Sequence, residues 1–278
     1  MTRMPTWPLT VAALLGSVVM TRVAARAGFD PLPGRAVPEP EGTSRWARRN
    51  HAGDEVTLLE GVWAVVGSGL PLLAIDPCAA TVAFGAGVTG AYDDLHPDAA
   101  RKGLRGHLGA LSRGELSPGA LKIVGLCATA AAGSWIGGRR HPLDIGLDAA
   151  LVAGSANMAN LFDLRPGRCL KVIVAFGVPL TCGSRGPAAA AAIGASAMLL
   201  PTDLKGATML GDTGANALGA LLGQSAAGGS RFFRCGALAV LTAGTLLSER
   251  VSFSAVIDNN PVLRAVDHWG RPPRADVP

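Results

Sequence analysis

The sequence predicts an all-α, polytopic integral membrane protein with about nine or ten transmembrane helices, and three observations carry that prediction. Only 16% of the 278 residues are charged, against roughly 25% in an average soluble domain. The deficit runs the whole length of the chain, and the mean hydropathy is +0.34. Apolar stretches recur nine times, at about 5–24, 56–75, 77–92, 120–137, 144–161, 170–183, 187–201, 213–227 and 234–249. Glycine is abundant (37 residues) and aromatics are scarce (5%), a composition that lets membrane helices pack closely. Several stretches fall short of the ~20 residues a straight span needs, so a broken helix or a tenth one is allowed. Residues 1–278 therefore read as a single transmembrane domain.

The first stretch, with Arg3 before it and Ala24-Ala25-Arg26-Ala27 after it, also fits a cleavable leader. The eight later stretches hold the chain in the membrane either way. Nine spans place alternate loops on one side: about 25–55, 93–119, 162–169, 202–212 and 250–278. With their flanking helix ends these hold 19 of the 25 lysines and arginines, including Lys102, Lys122, Lys171 and Lys205. The positive-inside rule makes that side cytoplasmic and the N-terminus external, in a multi-pass protein of the cytoplasmic membrane. The net charge of +5 does not point to nucleic acid, because the basic residues flank apolar spans and form no long run. Segment 97–114, with Leu104, Leu108 and Leu111 among basic residues, suits a helix lying on the membrane surface. The five cysteines form no CxxC and read as packing residues.

Four constellations of polar residues fall on the predicted cytoplasmic face. The first is Gly90-Ala91-Tyr92-Asp93-Asp94, followed by His96 and Asp98, at the end of an apolar span. Carboxylates at membrane depth are expensive and mark functional sites. Two side by side are hard to ionise together without a cation, and Mg²⁺ suits them because it takes one or two carboxylates and leaves room for substrate phosphates. The second is Asn157 to Arg168, where Asn157, Asn160, Asp163, Arg165 and Arg168 offer amides, a carboxylate and guanidiniums suited to a nucleoside and phosphate. The third is Leu210-Gly211-Asp212-Thr213-Gly214-Ala215-Asn216, a carboxylate at a helix N-terminus. Its free N–H groups suit an anion, and Asp212 suits a metal held against a phosphate. The fourth is the tail from Asp258 to Arg271, with Asp267-His268-Trp269. Asp144 and Asp148 read as ordinary charges at the external start of a helix, and Asn216 as an interhelical hydrogen-bonding residue.

Gly-x-Tyr-Asp-Asp with Asp98, Asn-x-x-Asn-Leu-x-Asp at 157–163 and Leu-Gly-Asp-Thr-Gly-Ala-Asn at 210–216, in that order and on one face, resemble the polyprenyl-phosphate N-acetylhexosamine-1-phosphate transferase family. The resemblance covers most of the chain from about Trp46 to Asn216. It implies a helical membrane enzyme of cell-envelope glycan assembly with a cytoplasmic Mg²⁺ site. The reaction implied moves a sugar-1-phosphate, GlcNAc-1-phosphate first among the donors, from a UDP-sugar to polyprenyl phosphate with release of UMP. Asp93, Asp94 and Asp212 match its catalytic carboxylates, with Asp212 and Asp93 as metal ligands. Asn160 and Asp163 match residues near the nucleotide, and Asn157 is a further candidate to bind substrate. Lys102, Lys122, Arg165 and Arg168 are candidates to neutralise phosphate charge, and His268 to contact the donor. Expected partners are polyprenyl phosphate, a UDP-sugar and membrane lipid, and a homodimer is compatible with the pattern. The chain departs from the family in two places. Pro166 stands where a further aspartate is usual, and Asp267-His268-Trp269 stands for a histidine-rich loop. Two rival readings follow from the sequence. One is a non-catalytic relative that binds lipid phosphate or UDP-sugar. The other is a transporter, suggested by short, Gly- and Pro-interrupted spans such as Phe176-Gly177-Val178-Pro179.

Overall fold

A computed structural model describes residues 6–28, 46–50, 53–96 and 118–272. Eleven helices and one small hairpin make up the described chain: α1 (Trp7–Gly28), β1 (Ala47–Arg49), β2 (Glu55–Thr57), α2 (Leu59–Ile75), α3 (Pro77–Leu95), α4 (Pro118–Ile136), α5 (Pro142–Phe162), α6 (Arg168–Leu180), α7 (Gly186–Asp203), α8 (Gly211–Ala226), α9 (Arg231–Ser248), α10 (Phe253–Asn259) and α11 (Pro261–His268). Each of the nine apolar stretches is a helix. By length and composition two of them, Trp7–Ala27 and Pro142–Phe162, can cross a membrane, and a third qualifies if α9 and α10, bent by 89° to one another, form one broken span. Leu59–Ile75 and Leu121–Ile136 are apolar but shorter. The remaining helices owe their modest hydropathy to Gly and Ala, which serve packing more than lipid contact.

The helix boundaries follow local chemistry. The Asp76 carboxylate caps α3 by accepting from the Ala79 N–H at 3.0 Å, with Pro77 at the first helical position. Ser230 caps α9 and Asn260 caps α11 in the same way. The core is built around α8, which is buried almost throughout and packs against α2, α3, α5 and α7. Close approach is made by glycine. A Cβ on Gly223 meets the Val152 Cα at 2.7 Å and the Leu151 carbonyl at 2.6 Å, so α8 and α5 touch backbone to backbone.

Two features depart from a purely helical reading with simple polar loops. Part of the expected loop 25–55 is the antiparallel hairpin β1–β2, with Ala47 opposite Thr57 and Arg49 opposite Glu55. Its second strand bridges in parallel to Thr208, and the Met209 N–H donates to the Thr57 carbonyl at 3.0 Å. Asp148 is no ordinary helix-start charge. It is fully buried, and its carboxylate accepts from Ser134 Oγ at 3.0 Å, Arg139 Nε at 3.2 Å and Arg234 Nη2 at 2.5 Å, with Arg185 3.6 Å away. Asp144 takes Arg231 and the other arm of Arg234. Arg139 also donates to the Ala227 carbonyl at the end of α8. One buried carboxylate thus clasps α4, α5, α9 and the loop before α7 at one end of the bundle.

Removing one partner from a buried ion pair leaves the other charge uncompensated, at a cost of about 3–5 kcal/mol. Asp148→Ala is expected to destabilise the fold by that amount, read as a lowered thermal midpoint of the purified protein in detergent. An unchanged midpoint would show that the clasp contributes nothing.

Candidate functional site

The site lies at the opposite end of the bundle, where the last turn of α3 meets the first turn of α8. The meeting is possible because residue 90 is glycine: a side chain there would run into the Asp212 and Thr213 backbone. Gly211, at φ +62°, makes the left-handed turn into α8 that other residues rarely adopt.

Once α3 and α8 are in contact, the two adjacent carboxylates of α3 part company. Asp94 accepts from the Asp212 N–H at 3.1 Å, the Thr213 N–H at 2.8 Å and the Thr213 hydroxyl at 2.6 Å. Asp163, at the end of α5, lies beside the Gly211 N–H. The N-terminus of α8 therefore binds carboxylates of the chain itself, not the substrate anion that the sequence pattern suggests. Asp93 points the other way. Its carboxylate is in hydrogen-bonding contact with that of Asp212. Lys122 from α4 joins the two, with Nζ 2.5 Å from Asp212 Oδ2 and 3.2 Å from Asp93 Oδ2. The Asn160 amide lies beside the Asp212 carboxylate. Asp93, Asp212 and Lys122 each keep some exposure, so this face is open to a ligand.

Behind it lies a second acidic layer. Asp163 has its pKa pushed well above the ordinary carboxylate value, first by burial and then by Asp203, Asp212 and Asp94. Asp203 is buried and accepts from the Gly167 N–H at 2.8 Å. Glu60 is fully buried and takes the Thr208 hydroxyl. The hairpin seals this layer, with Arg48 donating to the Asp94 carbonyl.

The remaining expected site residues separate into two groups. Arg165 and His268 line a polar cleft of about 740 Å³ together with Asn50, Lys205 and Arg271. Arg168 touches this cleft, but its guanidinium is buried and engaged: Nε and Nη2 hold the two oxygens of Asp267 at 2.7 and 3.1 Å, and Nη1 donates to Ser254 at 2.8 Å. The fork expected to grip phosphate instead fastens the C-terminal tail. Asn157 donates to Thr245 of α9 at 3.2 Å and ties α5 to α9. Lys102, Asp98, His107 and segment 97–114 lie outside the described residues. Among the described residues no three His, Cys, Asp or Glu side chains converge into a ready metal cage. The Asp93–Asp212 pair does fit a hard divalent cation that draws its other ligands from phosphate and water, because the pair already closes around the positive charge of Lys122.

Arg48, Glu60, Asp203 and Thr208 belong to the site's architecture and carried no signal in the sequence. Arg48 and Thr208 lie in segments that read as plain polar loop. Asp203 lies in the expected loop 202–212, and Glu60 lies inside the apolar stretch 56–75. The chain matches no family model and no curated protein.

The tail clasp has a pH dependence of defined sign. Burial raises the pKa of Asp267, but hydrogen bonds and charge from Arg168 and Arg271 outweigh it and hold the carboxyl below its usual value. Its contribution to stability is present above the unfolded carboxylate pKa of about 3.9 and is lost as pH falls through the lower folded value. Docking of residues 253–268 is expected to survive from neutral pH to about pH 4 and weaken below it, while Asp267→Asn loosens it at neutral pH. Amide hydrogen exchange across this segment is the measurement. Equal protection in wild type and variant at neutral pH would remove the clasp from the account.

Proposed function

We propose that this chain is a polytopic membrane glycophosphotransferase that moves a sugar-1-phosphate from a UDP-sugar to polyprenyl phosphate. The observation that carries the reading is the convergence of Asp93, Asp212, Asn160 and Lys122, drawn from four helices, on one partly exposed point, with Asp94 and Asp163 bracing it from behind. All of these residues except Lys122 come from the three sequence motifs, and each motif contributes.

The surroundings suit the two substrates. An apolar groove of about 610 Å³ between α5, α6, α8 and α9, walled by Met158, Phe162, Phe176, Val240 and Phe253, fits an isoprenoid chain. The polar cleft with Arg165, Lys205, His268 and Arg271 fits a nucleotide diphosphate. The charge asymmetry supports a cytoplasmic site. At the far end Arg139, Arg185, Arg231 and Arg234 share the two carboxylates of Asp144 and Asp148, and 19 of the chain's 25 lysines and arginines fall in the loops and helix ends on the site's side.

In the reaction, an anionic oxygen of the lipid phosphate forms a bond to the β-phosphorus of the UDP-sugar. The bond from that phosphorus to the oxygen bridging to the α-phosphorus breaks, and UMP leaves with the electron pair. The nucleophile is already ionised at neutral pH, so positioning and charge neutralisation dominate over base catalysis. Lys122 and the cleft's cations neutralise phosphate oxygens, and Asn160 orients Asp212. A Mg²⁺ ion held by Asp212 and Asp93 supplies further neutralisation of the diphosphate when bound.

Purified protein in detergent with Mg²⁺, undecaprenyl or decaprenyl phosphate and a panel of UDP-sugars led by UDP-GlcNAc is expected to release UMP only when lipid and metal are both present. Asp212→Asn and Asp93→Asn are each expected to lower turnover by about 100-fold or more while the protein stays folded. Wild-type turnover in either variant would overturn the assignment. Donor binding without UMP release would favour the non-catalytic relative, the reading that Arg168's engagement with Asp267 supports.

A further inference from the structure

We infer that the C-terminal helices α10 and α11 form an in-plane membrane anchor, seated in the headgroup layer of the leaflet on the site's side. The inference rests on the membrane reading above and adds an interaction surface to it. Three observations carry it. First, the chain leaves α9 and turns by 89° into α10. A helix that emerges from the bilayer and bends by a right angle runs along the surface. Second, α11 is amphipathic. At about 100° per residue, Val262, Val266 and Trp269 share one face, and they are 69%, 56% and 75% exposed. Arg264 and His268 lie on the opposite face, and Asp267 on the edge that docks to Arg168. Third, the apolar face is continuous with the groove proposed for the isoprenoid chain, which shares Phe176 and Phe253 with it. Leu263 and Val266 share a shallow groove with Val172 and the 66%-exposed Phe176 of α6.

The segment's orientation is set by the chain rather than left to chance. Ser252 and Asn260 cap the two helices. Lys171 donates to the Val266, Asp267 and Trp269 carbonyls at 3.0, 2.8 and 2.6 Å, closing the end of α11. An exposed stripe of valines and a tryptophan held this way in water has no compensating contact. At a bilayer surface the valines reach the acyl boundary, the indole sits at its favoured depth, and Arg250 and Arg264 face lipid phosphates. The lipid surface is thus the partner whose chemistry matches both faces of the segment. Seated there, α10 and α11 hold the mouth of the apolar groove at headgroup level, since Phe253 lines that groove.

The test uses the full chain in vesicles of phosphatidylcholine and phosphatidylglycerol, with and without acyl-chain bromine. The Trp269 signal is the emission difference between wild type and Trp269→Phe. It is expected to be blue-shifted and to lose about half its intensity or more to bromolipid. Trp7 and Trp135, exposed on α1 and α4, serve as internal controls. Water-like, unquenched Trp269 emission while the remaining tryptophans are quenched overturns the anchor alone and leaves a protein partner as the occupant of this face. Absence of quenching at every tryptophan overturns the membrane reading as well.

Discussion

The arrangement depends on the first turn of α8. Two successive N–H groups, of Asp212 and Thr213, open that helix and donate to the carboxylate of Asp94 from the end of α3, while Asp163 from the end of α5 lies beside the Gly211 N–H. Hydrogen bonds to charged groups contribute about 1.5–3 kcal/mol each, more than neutral ones, and here they also meet the positive end of a helix dipole. One short segment therefore pins three helices to a common point. With its backbone N–H turned to Asp94, Asp212 presents its side chain toward Asp93 and Lys122. The tie between α3 and α8 and the Asp93–Asp212 pair thus have the same cause.

The two ends of the bundle solve the problem of buried charge in opposite ways. At the far end the arginines outnumber the carboxylates, and Asp148 is enclosed and fully spent on its partners. At the near end the carboxylates outnumber the nearby cations, and part of their capacity is left facing solvent. A closed cluster serves rigidity; an open, electronegative one serves a cationic or cation-bridged ligand. The rigid far end keeps α5 and α9 in place, and through Asn157 and Thr245 that alignment reaches the wall of the apolar groove.

Nine of the eleven described helices were legible from hydropathy as apolar runs, whereas α10 and α11 lie in a tail that read as polar loop. Much of the site was also legible: Asp93, Asp94, Asn160, Asp163 and Asp212 stand out as polar residues at helix ends, and all of them gather within one cluster. The partition of labour among them was not. Asp93 and Asp94 are neighbours in sequence and look equivalent, yet a helical step of about 100° sends them to different partners. Arg168 looked like a phosphate fork because its chemistry is that of one. Its partner Asp267 lies 99 residues away, and no local pattern announces the pairing. Asp148 was read as an ordinary charge at the external start of a helix, because a carboxylate there needs no special partner, and the three arginines around it come from three separate segments. Long-range pairing is the information that periodicity and spacing do not contain.

Lys122 shows how such an acidic site can be assembled before any ligand arrives. Two carboxylates in contact cannot both stay ionised without a positive charge between them. A lysine tethered on α4 supplies that charge from within the fold, at 2.5 and 3.2 Å. An arginine would hold the pair in a rigid fork, whereas an ammonium on a flexible four-carbon stem can give way. If phosphates and their counter-ions enter between Asp93 and Asp212, the lysine can swing toward a phosphate oxygen and remain electrostatically useful there. A site built this way trades one cationic partner for another and never exposes its carboxylates uncompensated.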